Sequence, residues 1–305
     1  PFFALTRRTL HVLKENTVRD SYETLSNGFG NLNNNIVQLY ESAITLNSES
    51  NFTQLLRIKG KIDTRDSYRL IAVRQYLSNM IFSSDMLVDC GLIFEEAPFV
   101  ITRESVYHNL NYFYPNILSV NAMAFPEWKK SLFSENGLIN LRAVQKIKLN
   151  NTAEREILTC TVPLPPTVMS PKKAMMYFLF DSSILTHSLL SEDILTDSFL
   201  IITNEKEEII LRYQYDGELA DLSGYRAGSI TENRINGVNT TLMSIRGRDT
   251  GIGVIVGIPD RLFRQKMAPY VWLLLVYLLA AILFGLVVSL ILARRQAIPL
   301  QSIVN

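Results

Sequence analysis

A short run of aromatic and amide side chains is the part of the sequence best suited to bind a small molecule. The run HNLNYFYPN, residues 108–116, contains Tyr112 and Tyr114 among three asparagines. Aromatic faces stack on flat rings and amides hydrogen-bond hydroxyl groups, so this combination favours a neutral polar ligand such as a saccharide. Arg103 and Tyr107, on the strand predicted just before the run, are candidate walls of the same pocket. The alternative is a surface turn whose rings pack into the core.

Residue patterns for catalysis are weak. Ser170 and Lys173 match the spacing of a Ser-x-x-Lys nucleophile, but the sequence lacks the Ser-Asp-Asn and Lys-Thr-Gly partners of that site. The three histidines are far apart, and no Walker loop or Gly-x-Ser-x-Gly elbow occurs. Glutamates cluster at 95–96 and 205–208, both predicted turns where solvated charge is expected, so a membrane-tethered hydrolase is the weaker hypothesis. We expect no catalytic residue, no metal site and no cofactor.

Composition indicates a folded chain with one unusually apolar portion. The 305 residues are 48% hydrophobic and 19% charged, and the mean hydropathy is +0.12. A net charge of +1 gives no basic field for nucleic acid, so we expect no nucleic-acid-binding residues in this region. Cys90 and Cys160 are too few for a disulfide scaffold; unpaired buried thiols are favoured, and a single bridge in an extracellular domain is the alternative.

One segment predicts a transmembrane helix. Residues 270–292 are 23 consecutive positions without a charge, and at about 1.5 Å per residue they reach about 34 Å, enough for a hydrocarbon core of about 30 Å. Tyr270, Trp272 and Tyr277 lie near one end, as expected of an interfacial aromatic belt. Basic residues flank both ends of the segment, so the flanking charge leaves its orientation open.

The N-terminal part predicts a long helix. Apolar residues repeat with 4-3 spacing from Val18 to Leu46, which is typical of one continuous helical stripe. Such a stripe can pair with a second copy, which favours a homodimer, or pack on the chain's own sheets. Before it, PFFAL followed by Arg7 and Arg8 is typical of the last turns of a first transmembrane helix; an ordinary soluble N-terminus is the alternative.

Beyond residue 65 the pattern indicates two successive α+β units. A helix is predicted from Asp66 to Met80, another near Trp128, and a short one from Ser183 to Leu190, while HNLNYFYPN is expected to be a loop. Predicted strands of the first unit are MLVDCGLIFEE, FVITRESVY, EREILTCTVPL and KAMMYFLFD, and those of the second are SFLIITN, EIILRYQ, TTLMSIR and GIGVIVGIP.

Three stretches carry a family resemblance. They are PFVITRESVY, the longer TVPLPPTVMSPKKAMMYFLFDSSIL, and the IP-x-x-x-F-x-x-K step from Ile258 to Lys266. With the long helix before them and ARRQAIPL after the apolar segment, they resemble the extracellular double Cache sensor of membrane-anchored AraC-type transcriptional regulators from Gram-positive bacteria. The resemblance covers nearly the whole chain. It implies an α+β fold with a long N-terminal stalk helix, two tandem PAS-like antiparallel-sheet units and one C-terminal transmembrane helix.

The resemblance also suggests two further site residues. Amino-acid-binding Cache sensors use a pattern like Arg-x-Trp-Tyr, then a Tyr, then an Asp at the end of a strand, and Trp128 and Asp181 fit such positions. Pro126 stands where the carboxylate-gripping Arg is expected and Lys129 replaces the Tyr, which argues against a free amino acid as ligand. The alternative is that Trp128 is a core residue and Asp181 caps the helix beginning at Ser182.

The resemblance implies a receptor at the cell membrane with the soluble block outside. A small-molecule ligand, with a saccharide as the expected class, would shift the sensor and move the membrane helix, and DNA would be bound only by a cytoplasmic module after residue 305. A sensor histidine kinase is the alternative output. The expected parts are a first transmembrane helix ending in 1–9, a stalk and connection at 10–65, a membrane-distal unit at 66–190, a membrane-proximal unit at 191–268, a transmembrane helix at 269–293 and a cytoplasmic linker from 294 to 305.

Overall fold

The computed structural model describes most of the chain as two compact units. The described residues are 2–58, 62–81, 86–120, 123–167, 170–190, 192–195, 197–217, 228–235 and 237–301. The larger unit is Asp20–Ile258, and the smaller one consists of Pro1–Arg19 with Pro259–Asn305.

The predicted stalk is a single helix, α1 (Phe2–Ser48). From Leu25 to Leu46 every apolar member of the 4-3 stripe is buried, none more than 6% exposed. The stripe therefore packs within the chain, as the second of the two alternatives predicts. A homodimer through this stripe would have to break that packing.

Two shorter helices follow α1. They are α2 (Ser50–Leu55) and α3 (Thr64–Ile81). Helix α3 begins in a reciprocal cap, because Asp66 N donates to Asp63 Oδ1 at 2.8 Å and Asp63 N donates to Asp66 Oδ2 at 3.2 Å. The Tyr76 hydroxyl donates to the Ser42 carbonyl at 2.9 Å. This bond ties α3 to α1.

The first sheet has seven strands in the order β3-β2-β1-β7-β6-β5-β4. Its strands are β1 (Leu87–Phe94), β2 (Val100–Thr102), β3 (Val106–Tyr107), β4 (Leu118–Val120), β5 (Asn140–Leu149), β6 (Glu154–Leu164) and β7 (Ala174–Asp181). The central strand β7 is buried along its whole length. Helices α4 (Leu110–Asn116) and α5 (Phe125–Phe133) pack against this sheet through their buried aromatic residues.

The second sheet has five strands in the order β10-β11-β12-β8-β9. Its strands are β8 (Phe199–Thr203), β9 (Ile209–Tyr213), β10 (Ile230–Ile235), β11 (Val238–Arg246) and β12 (Gly253–Pro259). Helices α6 (Ser182–Leu189) and α7 (Glu192–Leu195) connect the two sheets. The described strand pairings in both sheets are antiparallel.

Helix α8 (Asp260–Gln301) follows β12 directly. Among the described residues, one helix has the length and apolar composition needed to cross a membrane, and it is α8. The most apolar stretch of α8 is not buried in the protein. In the smaller unit, Lys14 Nζ lies 3.1 Å from Asp260 Oδ1 and 5.9 Å from the centre of the Phe263 ring. These contacts join the first and last helices of that unit.

The observed architecture confirms the predicted fold class: an α+β protein with a long N-terminal helix, two antiparallel sheets and a C-terminal apolar helix. One local prediction is corrected, and three strands are additional to those predicted. The run predicted as a loop at 108–116 forms α4, because Asn109 Oδ1 accepts a hydrogen bond from Tyr112 N at 3.2 Å and caps the helix. Strands β4, β5 and β10 were not predicted, and each has an edge or half-exposed pattern that lacks an apolar run.

Candidate functional site

An aromatic layer lies between the first sheet and helices α4 and α5. Its members are Tyr107, Phe113, Tyr114, Phe125, Trp128 and Tyr177. Ring centres of neighbours are 5.0 Å apart for Tyr107 and Phe113, 5.6 Å for Tyr114 and Trp128, and 6.0 Å for Trp128 and Tyr177. These separations are typical of aromatic pairs in contact. Three of the predicted site residues, Tyr107, Tyr114 and Trp128, therefore meet in one layer.

Helix α5 covers the layer because its sequence is amphipathic. Trp128 and Leu132, four residues apart, point to the sheet and are buried. Pro126 stands in the first turn, where proline fits a helix and no backbone N–H is lost from the ladder. The proline that replaces the expected arginine thus has a structural role in starting this helix.

Two lysines fasten α5, one from its middle and one at its C-terminal end. Lys129 Nζ donates to the Glu95 carbonyl at 2.8 Å, and burial lowers the pKa of this lysine. Lys172 Nζ donates to the Phe133 carbonyl at 3.0 Å, at the negative end of the helix. Both bonds hold α5 to the strands or loops around the first sheet, and both are single contacts of partly exposed side chains.

Two of the three amides of the predicted binding run are used by α4 itself. Besides the cap at Asn109, Asn116 Nδ2 donates to the Tyr112 carbonyl at 2.8 Å. Tyr112 is 56% exposed, outside the layer, whereas Tyr114 is buried and its hydroxyl accepts from Val120 N at 3.3 Å. The structure therefore separates the two tyrosines, and Tyr112 does not join the other candidate residues.

A polar cluster of Asp89, Arg103, Tyr107 and Tyr177 borders the aromatic layer. Arg103 Nε lies 3.5 Å from Asp89 Oδ1, and Asp89 Oδ1 also accepts from Cys90 N at 2.9 Å. The Tyr177 side chain is fully buried, and no described residue hydrogen-bonds to its hydroxyl. Leaving a buried hydroxyl without a partner costs about 1–3 kcal/mol. A ligand that supplied this partner would offset the cost.

Glycine on the neighbouring strand makes room for Tyr177. Gly91 is the antiparallel partner of Tyr177, and a Cβ placed on Gly91 would overlap the tyrosine hydroxyl. Asp89 lies two residues before Gly91 and therefore on the same face of β1. The register of β1 and β7 thus brings the carboxylate and the phenol to one place.

Burial dominates the titration of this cluster. It raises the pKa of Asp89 to about 6, and the hydrogen bond from Cys90 N and the charge of Arg103 oppose the rise. Burial also raises the pKa of Tyr177 well above its usual range, with the negative charge of Asp89 adding to the effect. At neutral pH the cluster therefore holds an ionised Asp89 beside Arg103 and a neutral phenol.

Asp181 lies outside this site. Its Oδ1 accepts from Ser183 N at 2.9 Å and from the Ser183 hydroxyl at 2.6 Å, and its Oδ2 lies 3.8 Å from Arg155 Nη1. These contacts make Asp181 the N-cap of α6. The alternative role is therefore the one observed, and the proposed ligand contact of Asp181 is not supported.

Sequence reasoning missed Asp89 and Tyr177. Asp89 carried a usable signal, because a lone carboxylate inside an otherwise apolar strand must be buried or paired. Tyr177 carried none, since one tyrosine in the run MMYFLF looks like any other core residue. Its importance depends on its being opposite Gly91, which only the strand register reveals.

Of the glutamates considered for hydrolysis, Glu205 and Glu208 border one cleft, and Glu95 and Glu96 border another. The cleft bordered by Glu135, Asn136, Asn204, Glu205, Lys206 and Glu208 has a volume of about 520 Å³. Within it, Glu135 accepts from the Thr161 hydroxyl at 2.7 Å and lies 3.1 Å from Arg142 Nε. Within the described ranges, no group of three or more His, Cys, Asp and Glu side chains is arranged to hold a metal ion.

Comparisons with known proteins give distant structural likenesses. No family model matches the chain, and no curated protein matches it. The chain is similar to the sensory domain of the Campylobacter jejuni chemoreceptor Tlp3 (CcmL), at 9% identity and a TM-score of 0.47 over 85% of this chain and 99% of that one. It is also similar to the extracellular domain of the putative histidine kinase vpHK1S-Z8, at 12% identity and a TM-score of 0.48 over 84% and 96%.

A third similar structure is a domain of a putative sensory box/GGDEF family protein from Vibrio parahaemolyticus. It has 11% identity and a TM-score of 0.47 over 82% of this chain and 98% of that domain. At 9–12% identity these likenesses concern the fold alone.

Proposed function

We propose that this chain is the extracytoplasmic ligand-sensing and transmembrane signalling part of a membrane receptor. The observation that carries the proposal is the buried Tyr177 hydroxyl without a partner, beside Asp89 and Arg103 and under an aromatic layer. A stable core has little reason to hold such a group, whereas a binding site that closes over its ligand needs one.

The chemistry of the polar cluster favours a neutral ligand with hydroxyl groups, such as a saccharide. Asp89 and Arg103 have opposite charges, so together they compensate each other and attract neither an acid nor an amine. A carboxylate accepts from a hydroxyl and a guanidinium donates to one. The ring of Tyr107, which is only partly buried, supplies a stacking surface for a ligand ring.

The membrane location of the proposal rests on α8. Most of its large apolar side chains from Tyr270 to Leu292 are exposed in the protein, and lipid is the solvent that suits them. We infer that the two sheets lie outside the cell and that α8 crosses the membrane. The first transmembrane helix expected at 1–9 and the domain boundaries given above remain predictions, as does a homodimer.

We propose either a histidine kinase or a transcriptional regulator as the output of the receptor. An AraC-type DNA-binding module finds no counterpart among the three similar structures, whereas one of them is the extracellular domain of a putative histidine kinase. A histidine kinase output therefore fits at least as well as a transcriptional one. The sensing function does not depend on this choice.

A binding experiment with two matched tyrosine variants tests the proposed site. The full chain in detergent micelles would be titrated by calorimetry with a panel of monosaccharides, and with small amines and carboxylates for comparison. We expect a saccharide to bind, and Tyr177→Phe to weaken its affinity roughly 3- to 10-fold through the lost hydrogen bond. Tyr112→Phe, at an exposed position, is the control and should bind as the native chain does.

Two results would count against this site. One is binding by Tyr177→Phe with undiminished affinity. The other is an equal loss in both variants. Thermal unfolding of Tyr177→Phe should be unchanged or occur at a higher temperature, since the variant removes an unpaired buried hydroxyl, and this separates lost binding from lost folding.

A further inference from the structure

One short segment of α1 has a composition that opposes helix formation. Residues 28–35 read GFGNLNNN, so that six of eight positions are Gly or Asn. Both residue types have low helix propensity, with Gly the lower. The two apolar members, Phe29 and Leu32, are buried and hold the segment to the larger unit. Packing by these two residues therefore keeps an intrinsically weak stretch helical.

Close packing requires glycine at position 28 of this segment. At position 30 no close packing requires glycine. A Cβ placed on Gly28 would overlap the Ser188 carbonyl oxygen in the last turn of α6. A Cβ placed on Gly30 would meet no atom of the described residues within 4 Å. Asn31 and Asn34 are exposed as well. Residues with higher helix propensity, such as alanine, would fit at these three positions. The chain has glycine or asparagine at all three instead.

The segment contacts two parts of the structure that lead in different directions. At Gly28 it contacts the last turn of α6. Helix α6 begins at the Asp181 cap, where β7 ends; β7 belongs to the first sheet, which holds the proposed ligand site and is called the ligand-site sheet below. At Asn33 it meets the turn before β12, because the Thr250 hydroxyl donates to Asn33 Oδ1 at 2.6 Å. Strand β12 then continues directly into α8. The two contacts are five residues apart on α1.

We propose that residues 28–35 form a conformational joint that couples the ligand-site sheet to the strand leading into α8. The proposal rests on the proposed sensing function and adds the element through which that function is regulated. A helical segment of low intrinsic propensity opens locally at lower cost than its neighbours, which is what a hinge requires. A shift of β7 and α6 would displace α1 at Gly28. That displacement would move Asn33 and, through its hydrogen bond with Thr250, the β11–β12 turn.

Hydrogen exchange of the full chain in micelles tests the joint without any ligand. We expect the amides of residues 28–35 to exchange faster than those of residues 36–46 of the same helix. The variant Gly30→Ala/Asn31→Ala/Asn34→Ala changes only residues outside the packed face and should slow the exchange of the joint at least about tenfold. Thr45→Ala, which raises helix propensity outside the joint, is the control and should leave the exchange of residues 28–35 unchanged.

Coupling is tested by a substitution at one of the two contacts, with amide exchange measured at the other. Gly28→Ala displaces the end of α6, and we expect it to change amide exchange in the β11–β12 turn, residues 247–252. If Gly28→Ala does not fold, Asn33→Ala tests the coupling from the other contact. The change in amide exchange is then expected at Ser188 and Leu189. Exchange as slow in the joint as in residues 36–46, or changes confined to the mutated contact, would overturn the proposal.

Failure here and failure of the sensing function are distinguishable. The exchange measurements need no ligand, so a rigid joint would leave the saccharide titration unaffected. Conversely, a chain that binds no saccharide can still show a soft, coupled joint.

Discussion

At the scale of single residues, the site is defined by groups that the core does not satisfy. Tyr177 is buried because Gly91 leaves space for it, and its hydroxyl has no partner in the described structure. Asp89 lies nearby with its side chain 16% exposed and its pKa raised. Each feature costs folding free energy, and neither improves the packing of the sheet. Their position beside one aromatic layer is the reason for assigning them to ligand binding.

The raised pKa of Asp89 predicts how stability depends on pH. The folded protein binds this proton more tightly than the unfolded chain, whose value is near 3.8. The free energy of unfolding should therefore fall as pH rises from 3.8 to about 6 and stay low above that, a loss of about 3 kcal/mol from this group. Asp89→Asn should remove this dependence and be more stable than the native chain at pH 7.

Denaturant unfolding at several pH values checks this expectation. Near pH 4 the native chain and Asp89→Asn should differ little, because Asp89 is then largely protonated in the folded state. Equal stability of the two at pH 7, or a native chain that gains stability between pH 4 and pH 6 relative to the variant, would show that Arg103 compensates the buried charge fully.

The glycine opposite Tyr177 gives a second prediction. Gly91→Ala places a methyl group where the tyrosine hydroxyl lies, and we expect it to destabilise the chain by about 1–3 kcal/mol in denaturant unfolding. Gly30→Ala is the comparison, since an added methyl meets open space there and should stabilise the helix by about 1 kcal/mol. The same sign for both variants would contradict this description of the site.

The sequence predicted part of this residue set. The sequence predicts Arg103, Tyr107 and Tyr114 from their chemistry and Trp128 from the family resemblance, and the structure brings these residues to one layer and its polar border. Tyr177 could not be chosen, because its environment depends on pairing with Gly91 on a strand far away in sequence.

At the scale of elements, the first sheet settles the state of the two cysteines. Cys90 and Cys160 are both paired with Phe178, one on each side of β7. Strands lie about 4.8 Å apart, so the two Cα atoms are separated by about 10 Å, beyond the reach of a disulfide at about 7 Å. Both thiols are buried and free. The prediction of unpaired cysteines is confirmed.

Thiol labelling provides a test of this arrangement. Burial raises the pKa of Cys160 to about 12, and that of Cys90 is raised as well. A buried thiol with so little thiolate should react slowly with alkylating reagents in the folded chain. We expect no labelling without denaturant, two labels in denaturant, and identical mobility in reducing and non-reducing gels. Rapid labelling of the folded chain would contradict the packing of β1, β6 and β7.

The elements that sequence patterns missed share a physical cause. Strand β10 is an edge strand with alternating exposed residues, and β5 is largely half-buried. Edge and half-exposed strands need few apolar residues, so their patterns resemble loops. Helix α4 contains Pro115 and several asparagines and forms because of its Asn109 cap and the packing of Phe113 and Tyr114. Tertiary contacts decide these cases.

At the scale of the whole molecule, the chain order connects the first sheet to the apolar helix α8. The first sheet ends in β7, α6 and α7 lead to the second sheet, and its last strand β12 runs into α8. A long stalk and a terminal apolar segment have strong periodic or compositional signals, so the sequence predicted both. The joint in α1 was visible only as a weak stretch, since its two contacts involve residues far along the chain.

The fluorescence of Trp128 provides the most direct measurement of ligand binding at the aromatic layer. The chain has two tryptophans, and the variant Trp272→Phe leaves Trp128 as the sole one, in contact with Tyr114 and Tyr177. Titration of the monosaccharide panel into this variant in micelles should give a saturable change in Trp128 emission, weakened in parallel by Tyr177→Phe and Asp89→Asn. If a monosaccharide binds by calorimetry and Trp128 emission does not change, the aromatic layer is core and the ligand site lies elsewhere.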